Sequence, residues 1–255
     1  MPPFPAPGNA QAMKIVAIIP TRWGSTRFPG KALTPICGRP MIQRIWDRAM
    51  AAKEIDSVII ATDDQRIADA VQAFGGTVEM TRDNHDSGSD RIAEVAERID
   101  ADAIINVQGD EPLVRAADLD RLAQLMRSDG SVKVASLCHA ISTEEAANPN
   151  RVKVVRDAQD NALYFSRAQI PYPRHAETAR YFQHAGVYAY RREMLLAFAD
   201  LPVPDEERTE ALEQLRYLAA DIDIRMIETE PSGPGVDTPE DVPIVEALLK
   251  EQEAG

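Results

Sequence analysis

The spacing of apolar and polar positions changes repeatedly along this chain, and the changes mark out a β/α alternation in its first half. Lys14–Pro20 (KIVAIIP) is a continuous apolar run, the pattern of a strand buried on both faces of a parallel sheet. From Pro40 to Ala52 the apolar residues Met41, Ile42, Ile45, Trp46 and Ala49 recur at helical spacing. Ser57–Ala61 reads as a second strand and Asp64–Phe74 as a helix stopped by Gly75-Gly76. Thr77–Met80 follows as a short strand, Asp90–Ile99 as a helix and Ala103–Val107 as another buried strand. This rhythm predicts an α/β fold with a doubly wound, mostly parallel sheet.

After about Ser131 the rhythm alters. Val132–Leu137, Val152–Arg156, Leu163–Phe165 and Gly186–Tyr190 read as strands separated by polar turns, so an antiparallel insertion subdomain is expected. A helix over Glu207–Ala219, a strand over Ile222–Glu228 and a last helix starting near Pro239 return the chain to the main sheet. The expected organisation is a flexible tail over residues 1–13 and one domain over 14–250. Within it the chain divides into a β/α part over 14–130, an antiparallel part over 131–220 and a segment over 221–250 that completes the sheet.

Composition narrows the partners. The net charge of −13 opposes nucleic-acid binding, which needs a basic face to neutralise phosphates. It leaves room for a nucleotide, because a few cations in one loop can serve a triphosphate. No apolar run reaches the ~20 residues of a membrane span. Cys37 and Cys138 fit no metal or redox spacing, and the proline-rich first twelve residues have no apolar core of a signal peptide, so a cytoplasmic location is expected.

The candidate chemistry begins directly after the first strand, in Pro20-Thr21-Arg22-Trp23-Gly24-Ser25-Thr26-Arg27-Phe28-Pro29-Gly30-Lys31. Ligands of open α/β sheets sit at the carboxyl ends of strands, which is where this loop lies. Glycines and hydroxyl residues let backbone N–H groups approach an anion, and Arg22, Arg27 and Lys31 supply positive charge in an acidic chain. The loop is neither a Walker loop nor a Gly-x-Gly-x-x-Gly fingerprint. Asp110 follows a buried strand and Asp237 precedes the last helix. Asp237 could equally cap that helix, and Asp110 could simply shape its turn. Ser87-Gly88-Ser89-Asp90-Arg91 precedes another helix, which Ser or Asp could cap.

The loop, together with Asn106-Val107-Gln108-Gly109-Asp110-Glu111-Pro112, Tyr164-Phe165-Ser166-Arg167, Leu212-Glu213-Gln214-Leu215-Arg216 and Gly235-Val236-Asp237-Thr238-Pro239, resembles the sugar-nucleotide cytidylyltransferases. The matching motifs run in order from Ile15 to about Val242; Ser89 departs from them where the family usually has Thr. The resemblance implies CTP and an acid sugar, Kdo (3-deoxy-manno-octulosonate), as substrates, Mg²⁺ as cofactor and a homodimer. It implies Lys31, Arg22 and Asp110 in catalysis, and Asp110 and Asp237 as metal ligands. It also implies nucleotide contacts from Arg22, Ser25, Thr26, Lys31, Ser87, Arg91 and Gln108. Sugar contacts would come from Gln108, Arg167, His184, Tyr188, Glu213 and Gln214. Another acid sugar, such as sialic acid or an amino-Kdo analogue, and a non-catalytic nucleotide-binding module stay open at this point.

Overall fold

The computed structural model describes residues 13–24, 27–85 and 87–254. The tail expected over the first residues therefore lies almost wholly outside the described residues, and so do Ser25 and Thr26. In chain order the elements begin with β1 (Ile15–Thr21), β2 (Pro35–Ile36), β3 (Arg39–Pro40), α1 (Met41–Met50), β4 (Ser57–Thr62), α2 (Gln65–Ala73), β5 (Thr77–Met80), α3 (Gly88–Arg98), β6 (Ala103–Asn106) and α4 (Ala116–Ser128). There follow β7 (Val134–Ile141), α5 (Thr143–Ala146), β8 (Lys153–Arg156), β9 (Ala162–Ser166), β10 (Tyr181–Arg191), α6 (Arg192–Ala197), α7 (Asp205–Glu210), α8 (Leu215–Ala219), β11 (Ile224–Glu228) and α9 (Asp241–Ala254).

The main sheet runs β11-β7-β10-β6-β1-β4-β5, and along this path only β10 is antiparallel to its neighbours. β1 explains why the sheet is wound on both sides. Its Ile15, Ala17 and Ile19 pack with α1, α2, α4 and α9, whereas Val16 and Ile18 pack with α3, α6 and α8. Alternate side chains of one strand thus enter opposite cores, as a continuous apolar strand requires.

The expected doubly wound, mostly parallel sheet with an antiparallel piece is present, with local differences. β7 and β10 are central strands of the main sheet, and only the β8–β9 hairpin branches from it. Helix α4 was not anticipated. Its buried Leu119, Leu122, Ala123 and Met126 carry the helical period, but the acidic and basic residues between them dilute it.

The single helix expected over Glu207–Ala219 is instead two short helices, α7 and α8. Ala211 takes a left-handed conformation (φ 50°, ψ 53°) and ends the first. The break sends Leu212 into the core and leaves Glu213 and Gln214 on a turn against a cavity, not on a helix face.

β1 leads to β4 on one side of the sheet and β6 lies on the other, so the strand order switches between β1 and β6. Crevices for ligands form at such points, beyond the carboxyl ends of the strands. Gly109, just after β6, lies against β1 so closely that a Cβ there would come within 2.4 Å of the Pro20 carbonyl oxygen. Only glycine lets the two strand ends approach this far.

Candidate active site

Two cavities open at the switch point. The first, about 320 Å³, is lined by Arg22, Arg27, Lys31, Arg91, Asp110 and Asp237. The second, about 530 Å³, is lined by Arg167, His184, Tyr188, Glu213, Gln214 and Asn106. Ser87, Gly88 and Gln108 line both and form their common wall.

In the first cavity the loop after β1 is folded back by Gly30, whose N–H donates to the Trp23 carbonyl at 3.0 Å. Gly30 has φ 72°, and a Cβ there would lie 3.0 Å from the Trp23 ring. The Arg66 guanidinium covers the same ring at 3.5 Å, so the loop is held from outside while its cations face inward. Trp23 was not singled out from the sequence; an aromatic residue among the glycines of an anion-binding loop was the available signal.

Lys31 donates to Asp110 Oδ2 at 2.7 Å and lies 3.9 Å from Asp237 Oδ1, which also takes a hydrogen bond from Arg27 at 2.8 Å. Although 127 positions apart in sequence, the two aspartates are brought together by a backbone hydrogen bond from Val236 N–H to the Asp110 carbonyl, 2.8 Å long. Asp237 is not the cap of α9. Asp241, the first residue of α9, instead accepts from the N–H groups of Asp237 and Thr238 at 2.8 Å each and so ties the preceding segment to the start of the helix. Arg22 stands exposed at the cavity's mouth.

The two carboxylates around one ammonium are a hard, all-oxygen donor set pointing at a single cation position. Mg²⁺ commonly takes one or two carboxylates and completes its shell with phosphate oxygens and water. Among the described residues no group of three or more His, Cys, Asp or Glu converges, as a metal held by protein alone would need. The residues present therefore fit Mg²⁺ arriving with a polyphosphate. Glu111, next to them, is half-buried, and its carboxyl is pushed up to about 8 by desolvation and by the neighbouring Asp110 and Asp237.

The other nucleotide candidates divide. Ser87 caps α3, accepting from Asp90 N–H at 3.1 Å in a reciprocal capping box, and it also lines both cavities. Arg91 is buried on the wall of the first cavity, but its guanidinium is engaged by Asp63 at 2.8 Å and by Thr81. That geometry makes Arg91 a support of the cavity wall more than a free phosphate ligand. Gln108 lies between Gly88 and Gly186, facing both cavities.

All the sugar candidates line the second cavity. Arg167 is fixed by Glu210, which accepts from the Arg167 N–H at 2.9 Å through its carboxylate and from Nε at 2.7 Å through its carbonyl. Lys153, fully buried, donates to the carbonyls of Arg167 and Asn148 at 2.7 and 2.9 Å. No carboxylate forms an ion pair with the Arg167 guanidinium among the described residues, so its charge remains available to an anion. Glu210 and Lys153 were missed from the sequence, because their partners lie on other strands and turns. Glu213 accepts from Ser89 at 2.9 Å, and burial raises its carboxyl above the ordinary range.

His184 lies 3.0 Å from Ser136 through Nε2, and the Ser136 hydroxyl donates to the Val187 carbonyl at 2.8 Å. The Ala185 carbonyl lies 3.2 Å from the same hydroxyl; with the Ser136 proton on the nearer Val187 carbonyl, His184 donates from Nε2 and leaves Nδ1 as an acceptor. Tyr188 and Tyr190 stack at 5.6 Å beside it, and His184 meets Tyr188 at 5.2 Å.

Burial pushes the His184 imidazole down to about 3. The unfolded chain takes this proton near the ordinary value of 6.5, so between those values the unfolded state binds the extra proton and stability falls as pH is lowered. Within that window one proton contributes up to ~1.4 kcal/mol per pH unit, and the ring's partial contact with the cavity narrows the window. Urea unfolding of wild type and His184→Gln at neutral and mildly acidic pH is expected to show a shallower acid loss in the variant. His85 and His139, also lowered by burial, keep the remainder.

A sequence profile described as Cytidylyltransferase matches residues 16–224. The chain is 52% identical over 239 residues to the 3-deoxy-manno-octulosonate cytidylyltransferase of Escherichia coli, covering 94% of this chain and 97% of that one. It is 48% identical to the enzyme of the same name from Geobacter metallireducens, covering 94% of this chain and all of the relative. Among solved structures, CMP:2-keto-3-deoxy-manno-octonic acid synthetase complexed with CTP superposes with a TM-score of 0.92 at 51% identity, covering 94% and 99% of the two chains. A 4-diphosphocytidyl-2C-methyl-D-erythritol synthase from Anaerococcus prevotii, at 15% identity and a TM-score of 0.63, shares the fold.

Proposed function

Because the chain belongs to the cytidylyltransferase family, among the 3-deoxy-manno-octulosonate cytidylyltransferases, we propose that its paired cavities transfer CMP from CTP to Kdo, releasing pyrophosphate. The observation that carries this reading is the pairing itself. One cavity gathers cations around two aspartates, the other gathers hydroxyl-binding groups around an arginine whose guanidinium forms no ion pair among the described residues, and both share the wall of Ser87, Gly88 and Gln108. The product, CMP-Kdo, serves lipopolysaccharide synthesis.

On this reading the anomeric hydroxyl of Kdo, bound in the second cavity, attacks the α-phosphate of CTP in line, and the bond to pyrophosphate breaks. Such chemistry depends on positioning and charge stabilisation more than on a covalent intermediate. Arg22, Ser25, Thr26 and Lys31 would bind the triphosphate, with the two cations stabilising its developing charge. Asp110 and Asp237 would hold Mg²⁺, which supplies charge neutralisation at the phosphates when bound. Ser87, Arg91 and Gln108 would bind or shape the nucleoside side. Arg167 would hold the sugar carboxylate, while Gln108, His184, Tyr188, Glu213 and Gln214 would meet its hydroxyls. His184 then contributes an acceptor at Nδ1, and Glu213 a carboxyl whose raised pKa makes a proton easier to keep.

The division into a nucleotide part over 14–130, a sugar and dimer part over 131–220 and a closing segment over 221–250 remains part of the proposal. So does the homodimer, in keeping with Leu163 and Tyr172, which expose 60% and 83% of their surface on the antiparallel side. A cytoplasmic location is also proposed, consistent with two free thiols; no helix among the described residues is long and apolar enough to cross a membrane. Pyrophosphate release with CTP fixed and Kdo, its amino analogue or sialic acid varied tests the reading. Kdo is expected to be turned over fastest by at least about tenfold, since a site built for particular hydroxyls rejects analogues that leave them unpaired. Faster turnover of either rival overturns the choice of sugar.

A further inference from the structure

Asn106 is the last residue of β6 and pairs directly opposite Tyr188 of β10. Its side chain therefore falls on the sheet face that carries Ile104, Tyr188 and Tyr190. It is 1% exposed, it lines the second cavity, and neither Oδ1 nor Nδ2 has a hydrogen-bond partner. Burial holds the Tyr190 phenol well above its ordinary range, the Asn106 amide opposing this only slightly, and neither polar atom of the amide meets a hydrogen-bond partner. Neighbouring polar groups of the same wall are already engaged: Ser89 with Glu213, His184 with Ser136, Arg167 with Glu210.

A buried carboxamide with both of its polar ends unmet is costly, since most buried polar groups find partners. An apolar residue would fill the same place beside Tyr188 and Tyr190 without that cost. The arrangement makes physical sense if the cost is recovered when the cavity is filled. A carboxamide offers a donor and an acceptor side by side, and two neighbouring hydroxyls of a polyhydroxy compound offer the complementary pair. Phosphate and carboxylate, which only accept, would leave Oδ1 unmet.

We infer that Asn106 is a specificity-determining contact of the second cavity, its carboxamide donating to one hydroxyl of the bound acid sugar and accepting from its neighbour. This rests on the assignment of that cavity to the sugar. It extends the sugar site to the sheet floor, beneath the residues on the β9–α8 side and on β10.

The test reads two quantities that a structural role would move together and a ligand-binding role moves apart. In Asn106→Leu the unmet amide is gone, so the melting temperature is expected to stay level or rise. The KM for Kdo in pyrophosphate release is expected to rise by about tenfold or more, with the KM for CTP nearly unchanged. Asn106→Ser, smaller than the residue it replaces, gives the same readout should leucine not fit. An unchanged KM for Kdo in the folded variants overturns the inference. A lower melting temperature with an unchanged KM points to an amide bound to internal water and overturns it as well. Wild-type protein that releases no pyrophosphate from CTP and Kdo brings down the functional reading and this inference together. Active wild type with indifferent variants brings down the inference alone.

Discussion

Asp110→Asn is expected to lower the kcat for CMP transfer by about a thousandfold, ~4 kcal/mol of transition-state stabilisation. The substitution keeps the size of the side chain and removes only its charge. That charge is matched by Lys31 at 2.7 Å, so the variant loses an ion pair that solvent partly screens. Folding should therefore change little. CTP binding without metal should hold or tighten, because Lys31 is freed for the phosphates and one negative charge is gone. The metal-dependent rate should collapse, because Asp237 alone would hold the cation. The combination of retained nucleotide affinity and lost turnover separates this role from a merely structural aspartate. Turnover within about tenfold of wild type would remove Asp110 from the mechanism.

Lys31→Met is expected to reduce kcat/KM for CTP by a few hundredfold, ~3–4 kcal/mol. Lys31 is the point at which three elements meet: the loop after β1, the turn after β6 and the segment before α9. It binds Asp110 Oδ2, approaches Asp237 and donates to the Val236 carbonyl at 3.2 Å. Methionine keeps the apolar stem and deletes the ammonium. Asp110 then loses its cation while Asp237 keeps Arg27, and the two carboxylates are 35% and 56% exposed, so water absorbs most of the remaining repulsion. Loss of activity with an unchanged melting temperature is the expected pair of results. Lys31→Arg should restore only part of the rate, because a planar fork does not replace a compact mobile charge. Wild-type kinetics in Lys31→Met would assign the triphosphate to other cations.

Local pattern made much of this molecule legible. The KIVAIIP run placed β1, the cationic loop behind it placed the first cavity, and Asp110 stood at a strand end where ligands gather. These features depend on residues close in sequence, so periodicity and composition carry them. Other features depend on distant pairing and were invisible or misread. Asp237 could have been a helix cap, and only the hydrogen bond between Val236 and Asp110 shows it turned to Lys31. The break at Ala211 defeats a helical pattern that runs on through Glu213, because burying Leu212 outweighs one continuous helix. α4 was missed because its apolar stripe is narrow against a charged background. Glu210, Lys153 and Ser136 act on Arg167 and His184 from other elements, and nothing in their own neighbourhoods announces it.

The wall of Ser87, Gly88 and Gln108 between the two cavities carries an energetic consequence. A Gln108 amide turned to suit an occupant of one cavity is already set, well or badly, for an occupant of the other. Whatever factor bound CTP contributes to the affinity for the acid sugar, the sugar must return to CTP undiminished, since linkage between two ligands on one protein is reciprocal. Two substrates divided by so thin a partition are thus not independent guests. Their binding is one thermodynamic event with two entrances, and the residues that serve both sides set how strongly each entry favours the other.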